Sequence, residues 1–165
     1  MKIAIFSDSH DNVKLIEKAL EICKQEDIKT ILHCGDLVAP ATINFFNGFK
    51  VYFVRGNCDG DLINIKKNLE AIGGIFLNDF AVIELENRKI AMYHGNNPAI
   101  LFAAMKLDVD VICYGHTHES KIEKFEQNGK EKLIINPGSF YNSKIKHSFA
   151  ILDLKNLEAK IIELN

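Results

Sequence analysis

Lys2–Ser7 opens the chain as a short apolar run whose length and β-branched content predict a buried strand. Asp11-Asn12 then offers a helix N-cap, and Val13, Ile16, Leu20 and Cys23 recur at helical spacing. The same switch from strand to helix repeats. Thr30–Cys34 reads as a strand ended by Gly35-Asp36, and Pro40 suits the first turn of a helix over Ala41–Phe46. Lys50–Val54 reads as a third strand ended by Gly56-Asn57, with a helix carrying Ile63, Lys66, Lys67 and Ala71 before Gly73-Gly74. β-then-α units in succession predict a parallel sheet covered by helices.

The second half is richer in strands. Phe80–Leu85 and Lys89–His94 flank the break Glu86-Asn87-Arg88, Pro98–Leu107 reads as a helix, and Val111–Tyr114 as a buried strand. Ser120–Glu126 and Glu131–Ile135 flank Gln127-Asn128-Gly129-Lys130, where Asn-Gly signals a hairpin. Ser148–Leu154 and Glu158–Leu164 form a last hairpin around Lys155-Asn156-Leu157. The pattern predicts one α/β domain over residues 1–165, with antiparallel strands toward the C-terminus.

Composition narrows the function classes. Hydrophobic residues make up 47% and charged residues 25%, which excludes a disordered chain, and no apolar run reaches the roughly 18 residues of a membrane span. The first apolar stretch is too short for a signal peptide. A net charge of −2 argues against a strong nucleic-acid footprint. Cys23, Cys34, Cys58 and Cys113 form no C-x-x-C pair and read as reduced thiols, so a cytoplasmic location is expected.

Chemistry collects just past the apolar strands. Asp8-Ser9-His10, Gly35-Asp36, Gly56-Asn57-Cys58-Asp59, His94-Gly95 and Gly115-His116-Thr117-His118 each follow one. In open α/β sheets the ligand site lies beyond the carboxyl ends of the strands, so these segments can converge. Any one of them alone has a plainer reading: Asp8 or Asp11 as a helix cap, the Gly-containing pairs as turns, a histidine as a surface residue. Residues two apart in an extended segment face the same side, so Asp8/His10 and His116/His118 are each expected to present two donors together. The shared set is Asp8, His10, Asp36, Asn57, His94, His116 and His118. Imidazole nitrogen mixed with carboxylate and amide oxygen suits Mn, Fe, Co, Ni or Zn. Seven ligands exceed one ion and fit two divalent metal ions sharing a carboxylate. His33, inside an apolar strand, reads as packed or supporting; His147 and the Lys144-Ile145-Lys146 cluster read as surface; Arg55 stands where a phosphate contact is conceivable.

These motifs, D-x-H, G-D, G-N-x-D, H-G and G-H-x-H in this order, resemble the calcineurin-like metallophosphoesterases, and Asn136-Pro137-Gly138-Ser139 resembles a further segment of the small, cap-less archaeal and bacterial phosphodiesterase branch. The resemblance implies a four-layer α-β-β-α sandwich. It implies one metal on Asp8, His10, Asp36 and His118 and a second on Asp36, Asn57, His94 and His116, manganese being favoured. Asn57, Asp59 and His94 are expected to serve catalysis, Asp59 by orienting ligands rather than binding metal. The implied activity is hydrolysis of a small-molecule or nucleotide-like phosphodiester by a hydroxide bridging the metals. Alternatives are a phosphomonoesterase and a non-catalytic metal-binding scaffold like the retromer subunit of this fold; homo-oligomerisation stays open. The chain departs from the pattern at Cys58, where larger members carry a His that assists the leaving group, and at Asn96, where many small relatives carry His.

Overall fold

The computed structural model describes residues 1–127, 129–141 and 146–164, so Asn128 of the Asn-Gly turn and Lys144-Ile145 of the lysine cluster lie outside the described residues. The opening alternation appears as β1 (Lys2–Phe6), α1 (Val13–Gln25), β2 (Thr30–His33), a 3₁₀ helix (Pro40–Phe46), β3 (Lys50–Phe53), α2 (Leu62–Ala71) and β4 (Ile75–Phe76). The second half supplies β5 (Phe80–Leu85), β6 (Arg88–Tyr93), α3 (Pro98–Ala104), β7 (Val111–Cys113), β8 (Lys121–Gln127), β9 (Lys130–Asn136), β10 (His147–Asp153) and β11 (Glu158–Leu164). One sheet runs β11-β10-β1-β2-β3-β4 and the other β5-β6-β7-β9-β8. The middle strands are parallel (β1 to β4, and β6, β7, β9), while β10, β11, β5 and β8 run antiparallel to their neighbours.

Strand periodicity explains the layers. Successive side chains of a strand face opposite sides. Ala4 and Phe6 of β1, Val51 and Phe53 of β3, and Phe149 and Ile151 of β10 join Ile16, Ala19, Leu20 and Cys23 of α1 in an outer core beneath the helices. The intervening Ile3, Ile5, Ala150 and Leu152 meet Ile90, Met92, Val111, Cys113, Leu133 and Ile135 of the second sheet in a core between the sheets. The alternate residues of that sheet, Ala91, Ile112 and Ile134, pack with Leu101 and Met105 in the third apolar layer. The result is the expected α-β-β-α sandwich. Each fully buried Ile, Leu or Phe contributes about 1.5–3 kcal/mol by leaving water.

Some expectations shift. The segment over Ala41–Phe46 is 3₁₀ rather than α. The helix from Pro98 ends at Ala104, not Leu107, and the Lys132 ammonium takes the Met105 and Leu107 carbonyls at 3.0 and 2.6 Å, capping the turn beyond it. Lys146 is exposed, as expected of a solvated lysine, and there it pairs with Glu163 on β11 at 2.9 Å.

Candidate metal centre

The loops after β1 and β2 are joined by backbone hydrogen bonds: Asp8 N–H to Gly35 O (2.9 Å), His10 N–H to Asp36 O (3.0 Å) and Asp11 N–H to Leu37 O (3.1 Å). Here the backbone leaves the extended region. Asp8, His10 and Asp36 have φ of 51°, 41° and 56°, and His116 and His118 have 67° and 62°. Left-handed backbone costs a non-glycine residue about 1–2 kcal/mol, least for Asp and Asn. This corrects the extended-segment expectation. Asp8 and His10 still converge, but His116 and His118 part company: His118 lies by Asp8 and His10, whereas the His116 ring lies 5.2 Å from that of His94.

Each carboxylate is anchored by one oxygen and presents the other. Asp8 Oδ2 accepts from Ser7 Oγ (2.6 Å) and from His116 N–H (2.9 Å). Its Oδ1 lies 3.1 Å from His118 Nε2 and 4.0 Å from His10 Nε2. Asp36 Oδ1 accepts from Cys58 N–H at 2.7 Å, while Oδ2 lies 3.7 Å from His10 Nε2 and 3.4 Å from His94 Nε2. His94 Nδ1 donates to Cys34 O at 2.8 Å, which turns Nε2 toward Asn57 Oδ1, 3.0 Å away. Asp8 Oδ1 and His10 Nε2 are buried and have no hydrogen-bond partner among the described residues. Ligand atoms of Asp8, His10 and His118, of Asp8, Asp36 and His94, and of His10, Asp36 and Cys58 each lie within 4.8 Å of one another. Buried orphan atoms in a mixed nitrogen and oxygen set fit divalent cations. His116 belongs to none of these three groups and is exposed.

Charge follows this packing. Burial opposes ionisation of Asp36, but His94 and the Cys58 N–H outweigh it and hold the carboxyl well below the usual range. Burial would lower His94, yet Asp36 raises it overall; contact with Asp8 raises His118; burial lowers His10 despite both carboxylates. Burial and the neighbouring Asp36 push the Cys58 thiol up to about 11.

Supporting groups come from outside the cluster. Asp59 takes four backbone N–H groups: Leu37 and Val38 on Oδ1 (2.9 and 2.8 Å), Asp36 and Gly56 on Oδ2 (2.9 and 2.7 Å). It therefore ties the β2 loop to the β3 loop and belongs to none of the ligand-atom groups. A Cβ on Gly56 would collide with the Asp36 carboxylate, which is why glycine stands there. Ser139 Oγ donates to Asp8 O (2.9 Å), and the Asn136 amide donates to Gly115 O (3.0 Å) and Thr117 Oγ1 (2.9 Å). His33 stays off the cluster, bonded to Ser9 Oγ (3.0 Å) and to Gly35 N–H (3.2 Å). Sequence reasoning misses Tyr141, whose half-exposed ring lies 4.4 Å from that of His10 and 5.7 Å from that of His118; its one signal is adjacency to the Asn136–Ser139 segment. Arg55 stands at the edge of a groove of about 340 Å³ beside Asn57, its Nε 3.3 Å from Asp79 Oδ1.

The calcineurin-like phosphoesterase superfamily domain matches residues 1–157. The phosphodiesterase MJ0936 of Methanocaldococcus jannaschii is 37% identical over 142 residues, covering 84% of this chain and 83% of its own. The phosphodiesterase YfcE of Escherichia coli K12 is 28% identical over 184 residues, covering 100% and 93%. A solved archaeal phosphodiesterase superposes with a TM-score of 0.90 at 36% identity over 99% of this chain and 100% of its own. Vps29 of Chaetomium thermophilum, at 22% identity and a TM-score of 0.66 over 99% and 94%, shares the fold.

Proposed function

Since the chain belongs to the calcineurin-like phosphoesterase superfamily, we propose that it is a metal-dependent phosphodiesterase of small-molecule or nucleotide-like diesters, working with two divalent ions, manganese first among them. The observation that carries this reading is Asp36, anchored by Oδ1 and offering Oδ2 to His10 on one side and His94 on the other. Asp8, His10, Asp36 and His118 would hold one ion; Asp36, Asn57, His94 and His116 the other. Two such ions supply positive charge for phosphoryl oxygens and a water made acidic enough to be a nucleophile near neutral pH.

The chain's own residues do the rest. Asp8 and Asp36, each fixed by N–H donors, keep their free oxygens aimed inward without rearrangement. Asn57 and His116 are exposed at the edge of the cluster, within reach of an entering phosphoryl group. Asp59 positions Asp36 and the Gly56-Asn57 turn through the backbone. Cys58 faces the cluster with a thiol in place of an imidazole, so the leaving oxygen departs without a strong proton donor at this position.

The test is hydrolysis of bis-p-nitrophenyl phosphate and p-nitrophenyl phosphate by purified protein with Mn²⁺, Ni²⁺ and Zn²⁺ in turn. Cleavage of the diester at least as fast as the monoester is expected. A monoester preference with every metal would make the protein a phosphatase. Bound metal without turnover of either ester would make it a scaffold.

A further inference from the structure

The groove beside Asn57 carries chemistry that metal binding does not use. Asn57, whose Oδ1 lies 3.0 Å from His94 Nε2, lines it together with Asn96, Ile100, Arg55 and Asp79. Its volume of about 340 Å³ lies within the roughly 300–1,000 Å³ of small-molecule sites. Because Asn57 belongs to both the groove and the cluster, a substituent esterified to a phosphoryl group held at the cluster would find the groove beside it.

The lining is preformed. Gly95, with φ of 107°, turns the chain out of β6 after His94. The buried Tyr93 hydroxyl accepts the Asn97 N–H at 2.9 Å, and Asn97 caps α3 by accepting the Ala99 N–H at 3.0 Å. Asn96 and Ile100 are thereby held at the groove wall. Asn96 is exposed and its amide has no hydrogen-bond partner among the described residues, so it offers both donors and an acceptor. Ile100, 42% exposed, offers an apolar surface. Arg55 is the one cation among the lining residues, and Asp79 compensates it at 3.3 Å. With one Arg and one Asp, both exposed, the lining carries no net positive charge to favour a second phosphate.

We propose that this groove is the subsite for the ester group of the diester, and that it takes a neutral, hydrogen-bonding group of nucleoside size in preference to an anionic one. The proposal rests on the diesterase reading and adds a substrate class to it. An amide and an aliphatic side chain lining one groove match a nucleobase, which has a hydrogen-bonding rim and apolar faces.

Three esters sharing the p-nitrophenolate leaving group test it on the Mn²⁺-loaded protein: the p-nitrophenyl ester of thymidine 5′-monophosphate, the same compound phosphorylated at the 3′-oxygen, and methyl p-nitrophenyl phosphate. The thymidine ester is expected to exceed the methyl ester in kcat/KM by about tenfold, chiefly through KM, as one or two new contacts provide. The 3′-phosphate should lower that advantage. Asn96→Ala and Ile100→Ala should each bring the thymidine-to-methyl ratio toward one. A wild-type ratio already near one, or variants that slow both esters equally, would overturn the groove assignment and leave the diesterase standing. An absence of turnover for all three esters would overturn the diesterase reading and the subsite with it.

Discussion

His33 is fully buried: its ring sits 5.2 Å from Phe53 and 6.0 Å from Phe46, and burial drives its pKa down to about 3 from an ordinary 6.5. The folded state therefore refuses a proton that the unfolded chain accepts. The sign is fixed: as pH falls from 6.5 toward 3 the unfolded state gains the proton first, and stability drops by up to ~1.4 kcal/mol per pH unit. Above 6.5 His33 contributes no pH dependence. Urea unfolding between pH 7 and 4.5 should show a shallower decline in His33→Gln than in wild type; equal slopes would mean that the fold tolerates a charged His33. Cys58 sets a second test. Its Sγ lies within 4.8 Å of ligand atoms of His10 and Asp36, close enough for a larger side chain to reach the substrate. A dedicated general acid is worth about 10²–10⁴-fold. Across diesters of graded leaving-group pKa, wild type should fall steeply toward alkyl alcohols and Cys58→His should fall less steeply. Cys58→Ser should follow wild type, neither side chain being the donor. A uniformly lower rate with the same slope in Cys58→His would instead mean that the ring only crowds Asp36.

At the scale of elements, the cluster exists because the loops after β1, β2, β3, β6 and β7 are tied to one another, and Asp59 is the tie between two of them. Asn at this position keeps the shape but turns an acceptor oxygen into an amide facing N–H donors. Asp59→Asn should fold, and its metal affinity should fall by about 10–100-fold, as for other groups that orient ligands without touching metal. Calorimetric titration with Mn²⁺ checks this; wild-type affinity in the variant would remove Asp59 from the positioning role. The same geometry explains what a reader of the chain can and cannot see. Runs such as Lys2–Phe6 and the Ile16, Leu20, Cys23 spacing declare a strand and a helix because burial acts on every second or every third to fourth residue. β4, two residues long, is too short to alternate, and the order β11-β10-β1 depends on partners distant in sequence. Asp, His and Asn at the strand ends are legible as one site because chemistry-bearing residues recur there. The left-handed turns that separate His116 from His118 are not, since non-glycine residues give no sign of positive φ. Tyr141 is signalled only by its adjacency to Asn136–Ser139, because its place against His10 comes from Ser139 Oγ, which accepts the Tyr141 N–H at 2.9 Å and donates to Asp8 O.

For the whole molecule, the distribution of the proposed ligands matters more than their number. Asp8, His10, Asp36 and Asn57 follow strands of the first sheet, whereas His94, His116 and His118 follow strands of the second. Away from the site the two sheets are held by the apolar layer of Ile3, Ile5, Met92, Val111 and their neighbours. Ions in the cluster would join the sheets at one end by coordination, and Asp8 and Asp36 would lose the mutual repulsion that opposes their close approach. Binding to the folded state alone stabilises it by about 2.7 kcal/mol when free metal is one hundred times Kd. For a chain of this size 1 kcal/mol moves Tm by roughly 2–4 °C. Mn²⁺ should therefore raise Tm by about 5–10 °C per saturated site, and chelation should reverse it. Asp36, facing His10 and His94 alike, is the residue that both sites would share. Asp36→Ala should abolish the whole rise and leave neither ion in metal analysis of the purified variant, whereas His118→Ala should lose only the part belonging to the ion on Asp8 and His10. One ion retained in full by Asp36→Ala would show that Asp36 serves a single site, and the two sheets would then be joined without a shared ligand.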